Sequence, residues 1–217
     1  PVYLDGLKQL TVINTLKEGK GYNSDLKFTT QWMPMIQEVI KEKQLLLDDL
    51  VEKHFSGFIS SKEDLLSSQK FYWGFRDKGI DRGSLSSKAS FITVTELENK
   101  IKILEGLYEK KDFARTQNGV IKVLIHDDRK KELNISIGDE LNFVPVIDSS
   151  SNNIKGLVIG SFVVEKEEFL MGMSEDFLNP KPTENFEALS LPLIVSENIF
   201  FEEVGQNIRG LPITFWS

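Results

Sequence analysis

Imidazoles, thiolates and paired carboxylates do most of the chemistry that side chains can do, and this sequence is short of the first two. It has two histidines, His54 and His126, and no cysteine. A Cys-based zinc site, a thiol nucleophile and a structural disulfide are therefore excluded. The histidines lie far apart in the chain, and neither belongs to the HxxxH or HxxE spacing that sets two ligands on one helix face. His54 falls near the end of a periodic helical run, where the helix dipole favours a cation. No Gly-rich loop ends in Gly-Lys-Ser/Thr and no GxGxxG follows a strand, so phosphate-cradling motifs are missing. Gly19-Lys20-Gly21 reads as a flexible loop. No Gly-x-Ser-x-Gly elbow occurs that would expose a serine nucleophile. Asp148 to Asn153 (DSSSNN) offers oxygen ligands, but Ile159 stands where a calcium loop needs its closing Glu, so this is a polar turn. With 33 acidic residues some pair of carboxylates can always be arranged across a cleft. A two-carboxylate hydrolase is thus a conceivable reading that singles out no residues. No catalytic, cofactor-binding or metal-binding residue is assigned.

The elements that would carry any site come from a chain of 217 residues, 40% hydrophobic and 27% charged. These proportions fit one large globular domain or two small lobes and exclude collagen-like and disordered chains. The net charge is −7, from 26 basic and 33 acidic residues. Residues 1–108 carry 15 of each sign, while 109–217 carry 11 basic against 18 acidic. An overall acidic balance supplies no surface for nucleic acid. The richest acidic stretch, Glu165 to Glu187, is a solvated loop or a docking face for a cationic partner. No apolar run approaches the roughly 18 residues of a membrane span. The start, Pro-Val-Tyr-Leu-Asp, lacks the regions of a signal peptide. Both ends, Pro1 and the aromatic Thr214-Phe215-Trp216-Ser217, read as cut from something longer.

Apolar residues at Ile36, Val39, Ile40, Leu46, Leu47, Leu50, Val51 and Phe55 predict a long amphipathic helix opening at Pro34, which suits a first helical position. Its apolar face is expected to pack on a core. Tyr3 to Leu16 also reads as helical, with leucines on related faces, and Leu26 to Trp32 alternates as a strand. The aromatic group Phe71, Tyr72, Trp73 and Phe75 suits a strand in a core or interface better than a base-stacking surface. Ser90 to Val94, Val120 to Ile125, Leu141 with Phe143, Ile154 to Val164 and Leu191 to Val195 read as strands. Asp127 or Asp128 is expected to cap a short helix through Leu133, and Asn134 to end it in a left-handed conformation. Ser196 is placed to cap another short helix.

One segment carries more. Gly119 to Phe143 (GVIKVLIHDDRKKELNISIGDELNF) runs from an apolar strand through a charged helix to Asn-Ile-Ser-Ile-Gly-Asp and a further strand. It resembles a signature in the extracytoplasmic domains of FtsX/MacB-type ABC transporter permeases, carried here by Leu133, Ile135, Ile137, Gly138 and Asp139. Leu157-Val158-Ile159-Gly160 stands where that family has a small Gly-containing apolar run. Lys100-Ile101-Lys102-Ile103-Leu104-Glu105-Gly106 is similar to the family's approach to the same subdomain. Pro1-Val2-Tyr3-Leu4-Asp5-Gly6-Leu7 is similar to the segment after the first transmembrane helix. The chain has Asn134 where many relatives have Gly, and Asn also tolerates a left-handed backbone.

The resemblance implies an α+β fold like the periplasmic core of MacB: a mixed α/β lobe with the long helix, about 1–118, and a β-rich lobe, 119–217, with an incomplete C-terminus. It implies that residues 1–217 form a domain outside the cytoplasmic membrane, belonging to a larger membrane protein and not an enzyme. That domain would bind a substrate or an extracellular protein, lipoprotein or peptide partner and couple it to a cytoplasmic ATP-binding subunit through the missing transmembrane part. It has no cofactor and no nucleic-acid partner. The Pro34 to Phe55 helix and the Glu165 to Glu187 segment are the surfaces to test for partner contact. The alternative is a free-standing extracellular ligand-binding protein.

Overall fold

The computed structural model describes residues 11–16, 24–29, 36–55, 65–80, 88–94, 101–106, 108, 113, 119–146, 153–164, 190–207 and 214–216. It contains both helices and strands. Three strands, β1 (Thr11–Leu16), β2 (Ser24–Thr29) and β11 (Thr214–Trp216), form a small antiparallel sheet with β2 in the middle. The expected helix from Tyr3 to Leu16 is therefore corrected over 11–16, while residues 1–10 lie outside the description. Thr11, Val12, Ile13 and Thr15 are β-branched and stiff at χ1. Pairing Thr11 with Thr29 through Leu16 with Ser24 decides the conformation against the leucine spacing.

The main sheet has eight strands: β3 (Leu65–Ser67), β4 (Phe71–Phe75), β5 (Lys88–Val94), β6 (Ile101–Gly106), β7 (Val120–His126), β8 (Glu140–Pro145), β9 (Ile154–Val164) and β10 (Ser190–Ile194). Six of them close into a ring. β5 pairs with β10 in parallel, β10 with β7 antiparallel, β7 with β9 in parallel, and β9, β8, β4 and β5 follow antiparallel. Ring closure removes the exposed edges that an open sheet must protect. Strands from both sides of residue 118 share this sheet.

Two strands are long enough to exchange neighbours along one edge. β5 pairs with β4 at Lys88 and Ala89, then with β3 from Ile92 to Val94. At the gap, Phe91 N–H donates to Ser68 Oγ at 2.9 Å and Ser68 N–H donates to the Phe91 carbonyl at 2.8 Å. These two bonds carry the ladder across the switch, where an unpaired buried group would be costly. β9 likewise pairs with β8 from Ile154 to Leu157 and with β6 from Gly160 to Val164. On β10, Pro192 has no N–H to give, and pairing with β7 covers only Leu193 and Ile194.

Alternation along the strands divides the apolar residues between two cores. Ala89, Phe91, Val123, Ile125, Leu191 and Leu193 belong to the larger one, and Ile92, Val94, Leu124 and Ile194 to the other. Burial on both faces explains why these strands read as continuous apolar runs. Phe91 sits between Phe71 and Phe143 with edge-on ring contacts of 5.1 and 4.9 Å. Phe71 and Trp73 are core residues, as expected of the aromatic group.

Helix α1 (Gln37–Phe55) places Ile40, Leu47 and Val51 in the larger core. Its first turn meets Glu197: Gln37 Nε2 donates to Glu197 Oε1 at 3.1 Å, and Lys41 lies 3.7 Å from the same carboxylate. Glu197 opens α3 (Glu197–Ile199), capped by Ser196 Oγ accepting from Ile199 N–H at 3.4 Å, and the chain continues through a π-turn, Phe200–Val204. No helix among the described residues is long and apolar enough to cross a membrane.

Candidate functional site

Helix α2 (Asp127–Glu132) follows β7 without a break. The expected cap, Asp127 or Asp128, is corrected: His126 is the N-cap, its Nδ1 accepting from Asp128 N–H at 3.3 Å. Asp127 is drawn elsewhere. Its Oδ1 accepts from the fully buried Ser161 Oγ of β9 at 3.1 Å, and its Oδ2 lies 2.6 Å from Lys131 Nζ. Lys130, whose side chain is 10% exposed, lies 3.6 Å from Asp127 Oδ1 and also bonds Glu105 of β6. Arg129, almost wholly buried, pairs with Glu132 at 2.6 Å. Opposite charges thus alternate across the meeting of β6, α2 and β9.

This charge set determines its own ionisation. The hydrogen bond from Lys131 holds the Asp127 carboxyl below its usual 3.8; burial opposes it, and the Ser161 hydroxyl and the charges of Lys131 and Lys130 reinforce it. The same contact raises Lys131 above its usual 10.5. Each carboxylate faces a lysine or an arginine, and the Ser161 hydroxyl is sealed from solvent. Such a set suits fastening secondary elements rather than activating a nucleophile, which must reach a substrate.

On the other flank of α2, Leu133 and Ile137 are half-buried and Ile135 is buried, all against the larger core. Asn134 has φ 51°, the left-handed conformation expected of it, and its N–H donates to the Lys131 carbonyl at 3.2 Å. Asn134→Gly is expected to be nearly neutral, whereas Asn134→Val should cost about 1–2 kcal/mol in a urea melt, because a β-branched residue resists αL. Gly138 follows with φ 96°. Asp139 Oδ2 accepts from Ser136 N–H at 2.8 Å, closing the turn. Gly138 N–H then donates to the Val158 carbonyl at 2.8 Å, and Val158 N–H donates to the Asp139 carbonyl at 3.0 Å.

Gly106 and Gly160 are register partners between β6 and β9. A Cβ on Gly106 would fall 2.1 Å from the Ile159 carbonyl oxygen, and one on Gly160 would fall 2.9 Å from the Glu105 carbonyl oxygen. The approach segment and the Gly-Asp turn therefore both meet β9 within Val158 to Gly160, though they lie far apart in sequence. His54 is exposed at the last turn of α1, and His126 packs edge-on against Phe162 at 5.5 Å. Among the described residues no group of three His, Asp or Glu side chains is placed to hold a metal. Lys100, Pro1 to Leu7 and the Glu165 to Glu187 segment lie outside the description.

The charge set around the buried Asp127 is what sequence reasoning missed. Asp127, Lys130 and Lys131 at i, i+3 and i+4 were a readable signal. Ser161 and Glu105, brought in by β9 and β6, were not.

No family model matches this chain, and no curated protein matches it. Among solved structures it is similar to the periplasmic region of MacB from Actinobacillus actinomycetemcomitans, at 16% identity and a TM-score of 0.38, over 77% of this chain and 61% of that one. It is also similar to a domain of a putative permease protein from Porphyromonas gingivalis, at 10% identity and a TM-score of 0.36, over 77% of this chain and 64% of that one. The chain therefore spans less than two thirds of either structure, and its likeness is to the periplasmic region of MacB and to a permease domain.

Proposed function

We propose that the chain is the extracytoplasmic domain of an FtsX/MacB-type ABC transporter permease subunit. It binds a substrate or partner outside the membrane and passes that event to a cytoplasmic ATPase through transmembrane helices. Residues 1–217 form this domain, with the long helix packed beside one sheet built from strands on both sides of residue 118. The domain acts as a binding and force-transmitting part, not as a catalyst.

One observation carries the reading. Two of the stretches that resemble the permease family, the approach segment and the Gly-Asp turn, meet on β9, where Gly138 and Asp139 bond to Val158 and Gly106 lies against Gly160. Pieces that form one braced junction behave as a single inherited unit, which scattered matches to common Gly-Asp turns would not. The backbone bonds and close approach that tie this junction to β9 support the mechanical role, because a part that transmits force must resist shear between its strands.

Reading the gene outward from Pro1 and Ser217 tests the proposal. Apolar segments of about 20 residues on both sides, beside a gene for an ATP-binding subunit, are the expected result. A start or secretion signal just before Pro1 with a stop soon after Ser217 would overturn it in favour of a free-standing ligand-binding protein.

A further inference from the structure

We propose that the outward stripe of α1 is a docking surface for a basic amphipathic helix of a partner protein. Glu38, Glu42, Leu45, Asp49 and Glu52 recur at spacings of four and three, so they form one line along the helix. All five are exposed, and the line runs along the side opposite Ile40, Leu47 and Val51, which enter the core. At 1.5 Å per residue it extends about 20 Å. Docking there leaves the core untouched.

Among the described residues none of the four carboxylates is held in an ion pair or hydrogen bond; of the two exposed lysines that flank the line, Lys41 is turned to Glu197, and Lys53 alone leaves the stripe net acidic. Glu38 with Glu42, and Asp49 with Glu52, are like charges one turn apart, an arrangement that weakens a helix. A cationic occupant removes that repulsion. A second copy of this chain would set the same acidic stripe against itself and increase it. Leu45 stands at the middle of the stripe at 69% exposure, above Ile36 at 49% and Leu104 at 45%. It supplies the apolar anchor that a purely solvated face lacks. The fitting occupant is a helix with lysines or arginines three and four residues apart on either side of one apolar residue.

This inference names the chemistry of the partner and rests on the permease reading only for where that partner is found. The test therefore uses the 217-residue chain alone, so that its failure leaves that reading standing. The isotope-labelled chain is titrated with a synthetic helical peptide carrying lysines at that spacing around one leucine. Amide shifts are expected along 38–52, with affinity falling about tenfold or more between low and physiological salt. Leu45→Gln, and the fourfold variant Glu38→Gln, Glu42→Gln, Asp49→Asn, Glu52→Gln, should each lose about tenfold in affinity with no fall in melting temperature, as exposed sites allow. No binding, binding that the fourfold variant retains, or equal binding of a leucine-free peptide of the same charge overturns the proposal. Dimerisation of the chain that Leu45→Gln abolishes also overturns it, by identifying a second copy as the occupant.

Discussion

Gly106→Ala is expected to lower the stability of the fold by about 3–4 kcal/mol, adding backbone strain to overpacking. Gly106 has φ 90°, and a Cβ there would sit 2.1 Å from the Ile159 carbonyl oxygen. The obstacle is backbone on β9, held by β7 on its other edge, so no side chain can swing aside. β6 must then shift away from β9, and the Glu105 contact to Lys130 moves with it. For a chain of this size the loss corresponds to a fall in melting temperature of roughly 6–15 °C. Gly119→Ala is the matched control: Gly119 has φ 71° with nothing within 4 Å of a Cβ. It meets strain alone and should cost about 1 kcal/mol. Calorimetry that found the two substitutions equally mild would show that β6 is not clamped to β9 as described.

Asp127→Ala should cost about 3 kcal/mol, because it strands a sealed hydroxyl and takes one of two carboxylates from a buried lysine. Ser161 would lose its acceptor, Lys131 its partner, and Lys130 would keep only Glu105. Asp127→Asn retains an acceptor for Ser161 and should lose less. The two carboxylate states separate by pH. Asp127 is held below its usual 3.8 in the fold. Its stabilising effect is therefore complete above that value and disappears as the pH falls through the depressed one. The stability gap between the parent chain and Asp127→Asn, followed by urea melts, should be constant above about pH 5 and close progressively in acid. A gap that stayed constant down to strong acid would mean that the carboxylate gains nothing from Lys131 and Ser161. Lys131 is well exposed, so the part of the effect that it carries should also shrink with salt.

Much of the architecture was legible because the periodicity left few alternatives. Ile154 to Val164 reads as a strand and is β9, with one face buried from Ile154 to Phe162 and the other half-buried around an exposed Lys155. Asn134 reads as a left-handed terminator and has that conformation, because its short polar side chain tolerates that backbone better than other non-glycine side chains do. Ser196 reads as a cap and is one, for the local reason that its hydroxyl reaches an orphan N–H. The Gly-Asp turn was visible too, as was the resemblance it carries.

Local rules failed wherever a partner distant in sequence made the better offer. The leucine spacing before Leu16 suggests a helix, but six residues of pairing with β2 hold 11–16 as a strand. Asp127 has the side chain of a good cap, yet Ser161 and Lys131 claim it, and His126 caps the helix instead. Strand order was unreadable for the same reason. Nothing near β10 in the sequence announces that it enters between β5 and β7 and closes the ring. The sequence by itself determined which residues are apolar, where the chain must turn, and which short segments have caps and breakers, because those depend on steric preferences within a few residues. Only the tertiary structure decided the ring of strands, the fully buried Ser161–Asp127 contact and the close approach of Gly106 to Gly160. Each of these is a free-energy choice between partners that the chain can compare only once it has folded them together.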